Sequence, residues 1–308
     1  MTKIAFVFPG QGAQYTGMGK DLYDNFPSSK RVFEQASDTL GFDMADLLFN
    51  GERSSELNIT ENTQPAILTV SYALMIHILD EIARPDYTAG LSLGEYTAHV
   101  CSGSVPFEKA AALVKKRGKY MQEAVPVGVG TMAAIIGLDR GSVVEVCKST
   151  GVEAANFNCP GQIVISGRTE AVDKACELCK EKGAKRAVVL PVSAPFHSSL
   201  LSAAGENLKR ELEGHSFEDM KIPVISNVTA LPVKDRDSIA DLLIRQVTSP
   251  VLWWDSVMTM IGYGVDTFIE IGPGKTLTGF LKKIDPEIKG YSVSNTNELE
   301  ELRRNIWN

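Results

Sequence analysis

The sequence predicts an α/β protein: a mainly parallel sheet covered by helices on both sides, with a smaller α+β unit inserted into it. Three observations carry this expectation. Towards both ends of the chain, apolar runs of strand length alternate with amphipathic runs of helix length, the rhythm of a parallel sheet. After a Pro- and Gly-rich segment at 126–130, the order becomes β-α-β-β-α-β, that of a ferredoxin-like split unit. The length of 308 residues is roughly two domains' worth of chain.

The continuous apolar run Ile4–Phe8 reads as a strand buried on both faces, and Pro9-Gly10-Gln11-Gly12 ends it in a tight loop. Residues 29–40 form a helix with Val32, Phe33, Ala36 and Leu40 on one face, stopped by Gly41. A longer helix is expected over 64–83, capped by Asn62 or Thr63 with Pro65 in its first turn. A weak strand at 87–89 meets Gly90-Leu91-Ser92-Leu93-Gly94. Helices follow from Glu95 and over 107–123.

In the middle segment, strands are expected at 131–136, 152–157, 162–166 and 185–190. Helices are expected at 140–149, capped by Asp139, and at 169–182. The alternating rhythm then resumes: helix 199–213, strand 222–226, helix 238–246, a helix from Trp253, strand 265–271 and helix 275–283. The expected division is 1–125 and 192–308 for the larger α/β domain and 126–191 for the inserted subdomain. The cleft between them is the expected site.

Composition excludes several classes. With 44% hydrophobic and 22% charged residues, the chain can bury a core without disulfide or metal staples. A net charge of −7 argues against a nucleic-acid binder, which needs a basic face. The longest apolar stretch, 66–79, is shorter than the ~18 residues of a membrane span. The N-terminal apolar run lacks the cleavage pattern of a signal peptide. Five cysteines without framework spacing indicate free, mostly buried thiols in a reducing cytoplasm.

Three motifs resemble functional signatures without completing them. Gly10-x-Gly12 has Tyr15 where a dinucleotide fingerprint needs its third Gly. Gly274-Lys275-Thr276 resembles the end of a P-loop, but Ile269 stands where the first Gly belongs. Cys176-x-x-Cys179 lies within an expected helix, not at the helix N-terminus that activates a redox thiol.

The chemistry gathers at Gly90-Leu91-Ser92-Leu93-Gly94, a G-x-S-x-G sequence between an expected strand and an expected helix. Such a turn puts the Ser in strained geometry, projects its hydroxyl from the sheet, and aims the next backbone N–H at an oxyanion. The other reading is an ordinary turn. A Ser nucleophile needs a base, and only four histidines exist. His77 lies within a helix. His99 sits about 10 Å along the helix axis from Ser92, beyond reach. His215 lies among acids in a solvated loop. His197 follows a strand's C-terminal end, where ligands and catalytic groups gather in α/β folds. No acid stands out to orient it; a backbone carbonyl could do the same job, and the residues alone leave the orienting group open.

Arg117 falls in the middle of the apolar face formed by Ala110, Leu113, Val114 and Met121. A guanidinium there needs acceptors. Either it forms an internal ion pair, or it holds a substrate carboxylate bidentately.

Together, FPGQGAQYTGMG (8–19), GLSLGEYTA (90–98), NFNCPGQIVISG (156–167), PVSAPFHSSLL (191–201), RQVTSPVLW (245–253) and EIGPGKTL (270–277) resemble the malonyl-CoA:acyl-carrier-protein transacylases of fatty acid synthesis and the acyltransferase domains of polyketide synthases. The resemblance implies a hydrolase-like α/β domain with the inserted subdomain. It implies a malonyl-serine intermediate on Ser92, His197 as base and then acid, and Arg117 on the malonyl carboxylate. Backbone N–H groups of Gln11 and Leu93 would form the oxyanion hole. The Gln246 carbonyl would orient His197, and Asn158 would lie near the site. Malonyl-CoA and an acyl carrier protein are the implied partners. No cofactor is implied, since CoA enters as the substrate thioester. Leu91 departs from the His usual before the Ser. Phe196 resembles malonyl-selecting members. Two basic faces are candidates for an acidic carrier: Lys115, Lys116 and Lys119, or Lys180, Lys182, Lys185 and Arg186. A serine thioesterase or esterase of the hydrolase type is the alternative from the same Ser–His logic.

Overall fold

The fold is that of a computed structural model describing residues 2–306. Residue 1 and residues 307–308, at the ends of the expected larger domain, lie outside the described residues. The strands are β1 (Ile4–Phe8), β2 (Tyr87–Gly90), β3 (Gly130–Ile136), β4 (Glu153–Cys159), β5 (Gln162–Arg168), β6 (Arg186–Val189), β7 (Val224–Ile225), β8 (Thr267–Ile271) and β9 (Lys289–Val293).

They form two sheets. The larger has the order β7-β2-β1-β8-β9, and every pairing in it is parallel. Alternate residues of β1 feed opposite faces, as the two-residue period of a strand requires. Ile4, Phe6 and Phe8 join the larger apolar core, while Ala5 and Val7 join the core on the other side. This explains why β1 is apolar throughout, with all five residues buried. The architecture is the hydrolase-like α/β core that the sequence implied.

The smaller sheet has the order β4-β5-β3-β6, all antiparallel, the strand order of a ferredoxin-like unit. Helices Arg140–Thr150 and Thr169–Glu181 cover one of its faces, against Ala133, Ile135, Ile163 and Ile165. The alternate residues Met132, Ala134 and Val164 join the larger core instead. The small unit therefore packs its own core on one face and presents its other face to the parallel-sheet unit. The Asp139 cap is as expected, its carboxylate accepting from the Ser142 N–H at 2.9 Å.

Several boundaries differ. The long helix runs Thr60–Glu81, so Pro65 lies inside it, and neither Asn62 nor Thr63 caps it. Its first residues are polar and show no apolar period. Tertiary bonds hold them instead, with the Thr63 hydroxyl donating to the Leu57 carbonyl at 2.6 Å. The expected strand 222–226 shrinks to Val224–Ile225. Strand β9 and the helix Thr296–Asn305 have no counterpart among the expected elements. No helix of the described residues is long and apolar enough to cross a membrane.

Candidate active site

β2 ends at Gly90 and the next helix begins at Gly94, leaving Leu91-Ser92-Leu93 to make the turn. Ser92 has φ 54°, in the left-handed region that non-glycine residues rarely adopt. Both flanking glycines are required sterically. A Cβ on Gly90 would come within 1.9 Å of the Gly94 carbonyl carbon, and one on Gly94 within 2.2 Å of the Phe8 oxygen.

His197 also has positive φ, 57°. Its Nε2 lies 2.7 Å from Ser92 Oγ, and its Nδ1 lies 2.9 Å from the Gln246 carbonyl oxygen. A carbonyl can only accept, so Nδ1 carries the proton and Nε2 is left to accept from the Ser92 hydroxyl. Burial pushes the imidazole pKa down, the nearby Arg117 charge adds to this, and it falls to about 4. His197 is therefore neutral at neutral pH, the form a base requires.

Arg117 is 1% exposed. It lies on the helix Phe107–Glu123, which closes on the helix Thr60–Glu81 at Gly118. A Cβ on Gly118 would sit 2.6 Å from the Thr60 oxygen. The guanidinium donates to Gln64 Oε1 at 2.7 Å, Gln246 Oε1 at 2.9 Å and Ser92 Oγ at 3.0 Å. Its carbon sits 5.3 Å from the Tyr96 ring centroid. All its hydrogen-bond partners are neutral, so the internal ion pair considered for it is not formed. Its Nε is buried without a partner. Arginine stays charged in proteins, so this is a buried positive charge without a directly bonded anion.

These groups face a cavity of about 800 Å³. Gln11, Leu93 and Phe196 line it from the parallel-sheet unit, and Met132, Ala134 and Asn158 from the smaller sheet. Asn158 is 6% exposed and its Oδ1 has no partner. Leu91, in the place of the usual His, lines the cavity and packs against the core behind β1 and β2.

The sequence reading missed three neighbours of the site. Gln64 bonds Arg117. Glu95 is fully buried, its Oε2 accepting from Gln246 Nε2 at 2.6 Å and from the Asn227 N–H at 3.1 Å. Burial raises its carboxyl pKa to about 7, with the hydrogen bonds and Arg117 opposing. Asn227 bonds the Ser92 N–H at 2.7 Å. Glu95 carried a readable signal: it is the one Asp, Glu, Lys or Arg in the helix Gly94–Cys101.

The groups set aside also resolve. His77 is buried and 2.8 Å from the Ser29 hydroxyl, His99 is buried and 2.9 Å from that of Ser104, and His215 is exposed. All five cysteines are free and buried. Where a P-loop would bind phosphate, Glu270 accepts from the N–H groups of Leu277 and Thr278 at 3.0 and 2.7 Å. On the first basic face, Lys116 pairs with Glu211 at 2.6 Å, and Lys115 donates to the Leu40 carbonyl at 3.0 Å.

Comparison with known proteins agrees with this geometry. The acyl transferase domain family matches residues 5–295. A malonyl CoA-acyl carrier protein transacylase of Bacillus subtilis is 47% identical over 305 residues, covering 97% of this chain and 96% of that one. The crystal structure of one from Clostridium perfringens superposes with a TM-score of 0.94 at 46% identity, covering 99% and 98% of the two chains. A malonyl-transacylase in complex with its type II PKS acyl-carrier protein superposes at 0.96 with 42% identity, covering 99% and 100%. With a Ser–His pair on the cavity wall, an adjacent buried arginine without a directly bonded anion and full-length similarity to these relatives, the chain belongs to the acyl transferase family, among its malonyl CoA-acyl carrier protein transacylases.

Proposed function

We propose that the chain transfers a malonyl group from malonyl-CoA to the phosphopantetheine thiol of an acyl carrier protein through a malonyl-serine intermediate, in fatty acid biosynthesis in the cytoplasm. The observation that carries this reading is the 3.0 Å contact between Arg117 and the hydroxyl that accepts the acyl group. A malonyl group has one methylene between its thioester carbonyl and its carboxylate. A cation beside the nucleophile matches that short span, and an acetyl group would leave the cation unpaired.

In the first half-reaction, the Ser92 hydroxyl proton passes to His197 Nε2 as Oγ attacks the thioester carbonyl. The N–H groups of Gln11 and Leu93 receive the oxyanion. The intermediate collapses, the C–S bond breaks, and His197 returns its proton to the departing CoA sulfur. In the second half, the carrier's thiol gives its proton to His197 and its sulfur attacks the serine ester. Ser92 recovers the proton as the ester C–O bond breaks. The Gln246 carbonyl keeps the imidazole in the required tautomer throughout. No cofactor takes part in this scheme. Asn158 borders the path of the acyl chain. The division into 1–125 with 192–308, and 126–191, puts Ser92, Arg117 and His197 on the larger unit and lets the smaller one roof the cleft, excluding water from the ester.

The kinetic order tests the scheme. Initial rates measured against malonyl-CoA at several fixed carrier concentrations are expected to give parallel double-reciprocal lines. Intersecting lines would mean direct transfer without a free acyl-enzyme.

A further inference from the structure

Ser92 is held in the left-handed region, and a strained turn of this kind persists only when its surroundings over-determine it. Two side chains reach the turn from behind: Gln246 Nε2 donates to the Ser92 carbonyl at 3.0 Å, and Asn227 bonds it twice. Asn227 Oδ1 accepts from the Ser92 N–H at 2.7 Å, and Asn227 Nδ2 donates to the Gly90 carbonyl at 2.7 Å. A single carboxamide therefore brackets the turn, satisfying one backbone group on the nucleophile and one two residues before it.

The placement follows from the sheet. β7 and β2 are parallel neighbours, so their C-terminal ends emerge side by side. β2 leads into the turn and β7 leads into Ser226-Asn227. Asn227 is itself anchored. Its N–H donates to Glu95 Oε2 at 3.1 Å, its carbonyl accepts from the Leu252 N–H at 2.9 Å, and its Oδ1 lies 3.3 Å from Gln246 Nε2. It is fully buried and does not line the cavity. The Ser92 N–H is thus committed behind the turn, away from where substrate enters.

We propose that Asn227 is a positioning residue for acyl transfer. Its carboxamide clamps the nucleophile turn from behind, and by occupying the Ser92 N–H it leaves the oxyanion to the N–H groups of Leu93 and Gln11 alone. The proposal rests on the reading of Ser92 as the acylated residue. It goes beyond that reading by giving a task to a residue that touches neither substrate nor His197. Loss of the clamp lets the turn relax and misplaces Oγ and the Leu93 N–H together. It leaves the cavity wall and Arg117 to bind malonyl-CoA as before.

The test is single-turnover acylation by malonyl-CoA, followed by mass spectrometry, in Asn227→Ala and Asn227→Asp. The Asp variant keeps an acceptor for the Ser92 N–H and loses the donor to Gly90. Thermal unfolding confirms that each variant is folded, and the Asp variant serves alone should Ala not fold. The maximal acylation rate is expected to fall about 10²-fold in Ala and less in Asp, the scale set by small misplacement of reacting groups. The concentration giving half-maximal rate is expected to move by less than about threefold. Affinity for malonyl-CoA, measured by calorimetry in a Ser92→Ala background, is expected to be the same with and without Asn227→Ala. An acylation rate within about threefold of wild type, or a parallel loss of rate and affinity, overturns the proposal. Failure of the underlying reading would look different: the wild-type protein itself would carry no malonyl group on Ser92.

Discussion

Arg117 Nη2 donates to Ser92 Oγ across 3.0 Å, while the same oxygen lies 2.7 Å from His197 Nε2. The free hydroxyl thus stands between a neutral base and a buried cation. The cation's other partners, Gln64 and Gln246, are amide oxygens that orient it without cancelling its charge. A substrate carboxylate entering the cavity meets a guanidinium already fixed in place.

Selectivity should therefore reside in Arg117. Arg117→Ala is expected to lower kcat/KM for malonyl-CoA by about 10³-fold or more while changing acetyl transfer far less, since only malonyl pairs the buried charge. Parallel assays with malonyl-CoA and acetyl-CoA check this. Equal losses with both would remove the carboxylate role.

The acid limb of the rate should lie unusually low. His197 acts as a base only when neutral, and its pKa is depressed to about 4 by burial first and by the Arg117 charge second. The acylation rate is expected to stay level as pH falls through the ordinary imidazole range, near 6.5, and to drop only below it. Arg117→Gln removes the second cause, so its acid limb should move upward. A wild-type rate that already halves near the ordinary imidazole pKa would contradict this account of the base. Stopped-flow acylation across the pH range reads both.

Glu95 should make stability depend on pH in the opposite sense from an ion-paired acid. Its folded pKa is raised to about 7 from 4.5, so between these values the folded state holds a proton that the unfolded state has released. That contribution is fully present below the unfolded pKa and is lost as pH rises through the folded one. Glu95→Gln removes the dependence. The unfolding free energy of the variant minus that of wild type is expected to rise by up to about 3 kcal/mol between pH 5 and 8. Denaturant titrations at several pH values measure it, and a difference that stays constant or falls would show that Glu95 does not titrate there.

Two residues of the candidate site were legible in the sequence because each breaks a local pattern. Ser92 sits between glycines that only a tight turn needs, and Arg117 interrupts an apolar helix face; His197 was singled out by a strand-end rule of parallel sheets, yet the strand before it, β6, is an edge strand of the antiparallel sheet. The alternation of apolar runs gave the parallel sheet, and the change of rhythm after residue 126 gave the smaller one. Asn227 was invisible because its role depends on β7 lying beside β2, a pairing between residues more than a hundred positions apart. Gln64 was hidden by the same kind of distance, reaching Arg117 across two packed helices. β9 was missed because it is a half-exposed edge strand, KGYSV, with little apolar pattern. Its position is set by pairing with β8.

The acyl-enzyme itself gives the most direct test. The protein is incubated with malonyl-CoA without an acceptor thiol, and its intact mass is measured, with acetyl-CoA in parallel. The expected result is one malonyl group per chain, mapped to Ser92, stable in water and discharged on adding the carrier protein with its phosphopantetheine arm. Ser92→Ala should carry none. A wild-type protein that stays unmodified, or that hydrolyses malonyl-CoA steadily without any thiol acceptor, would contradict the transferase reading, and the second outcome would favour a serine thioesterase.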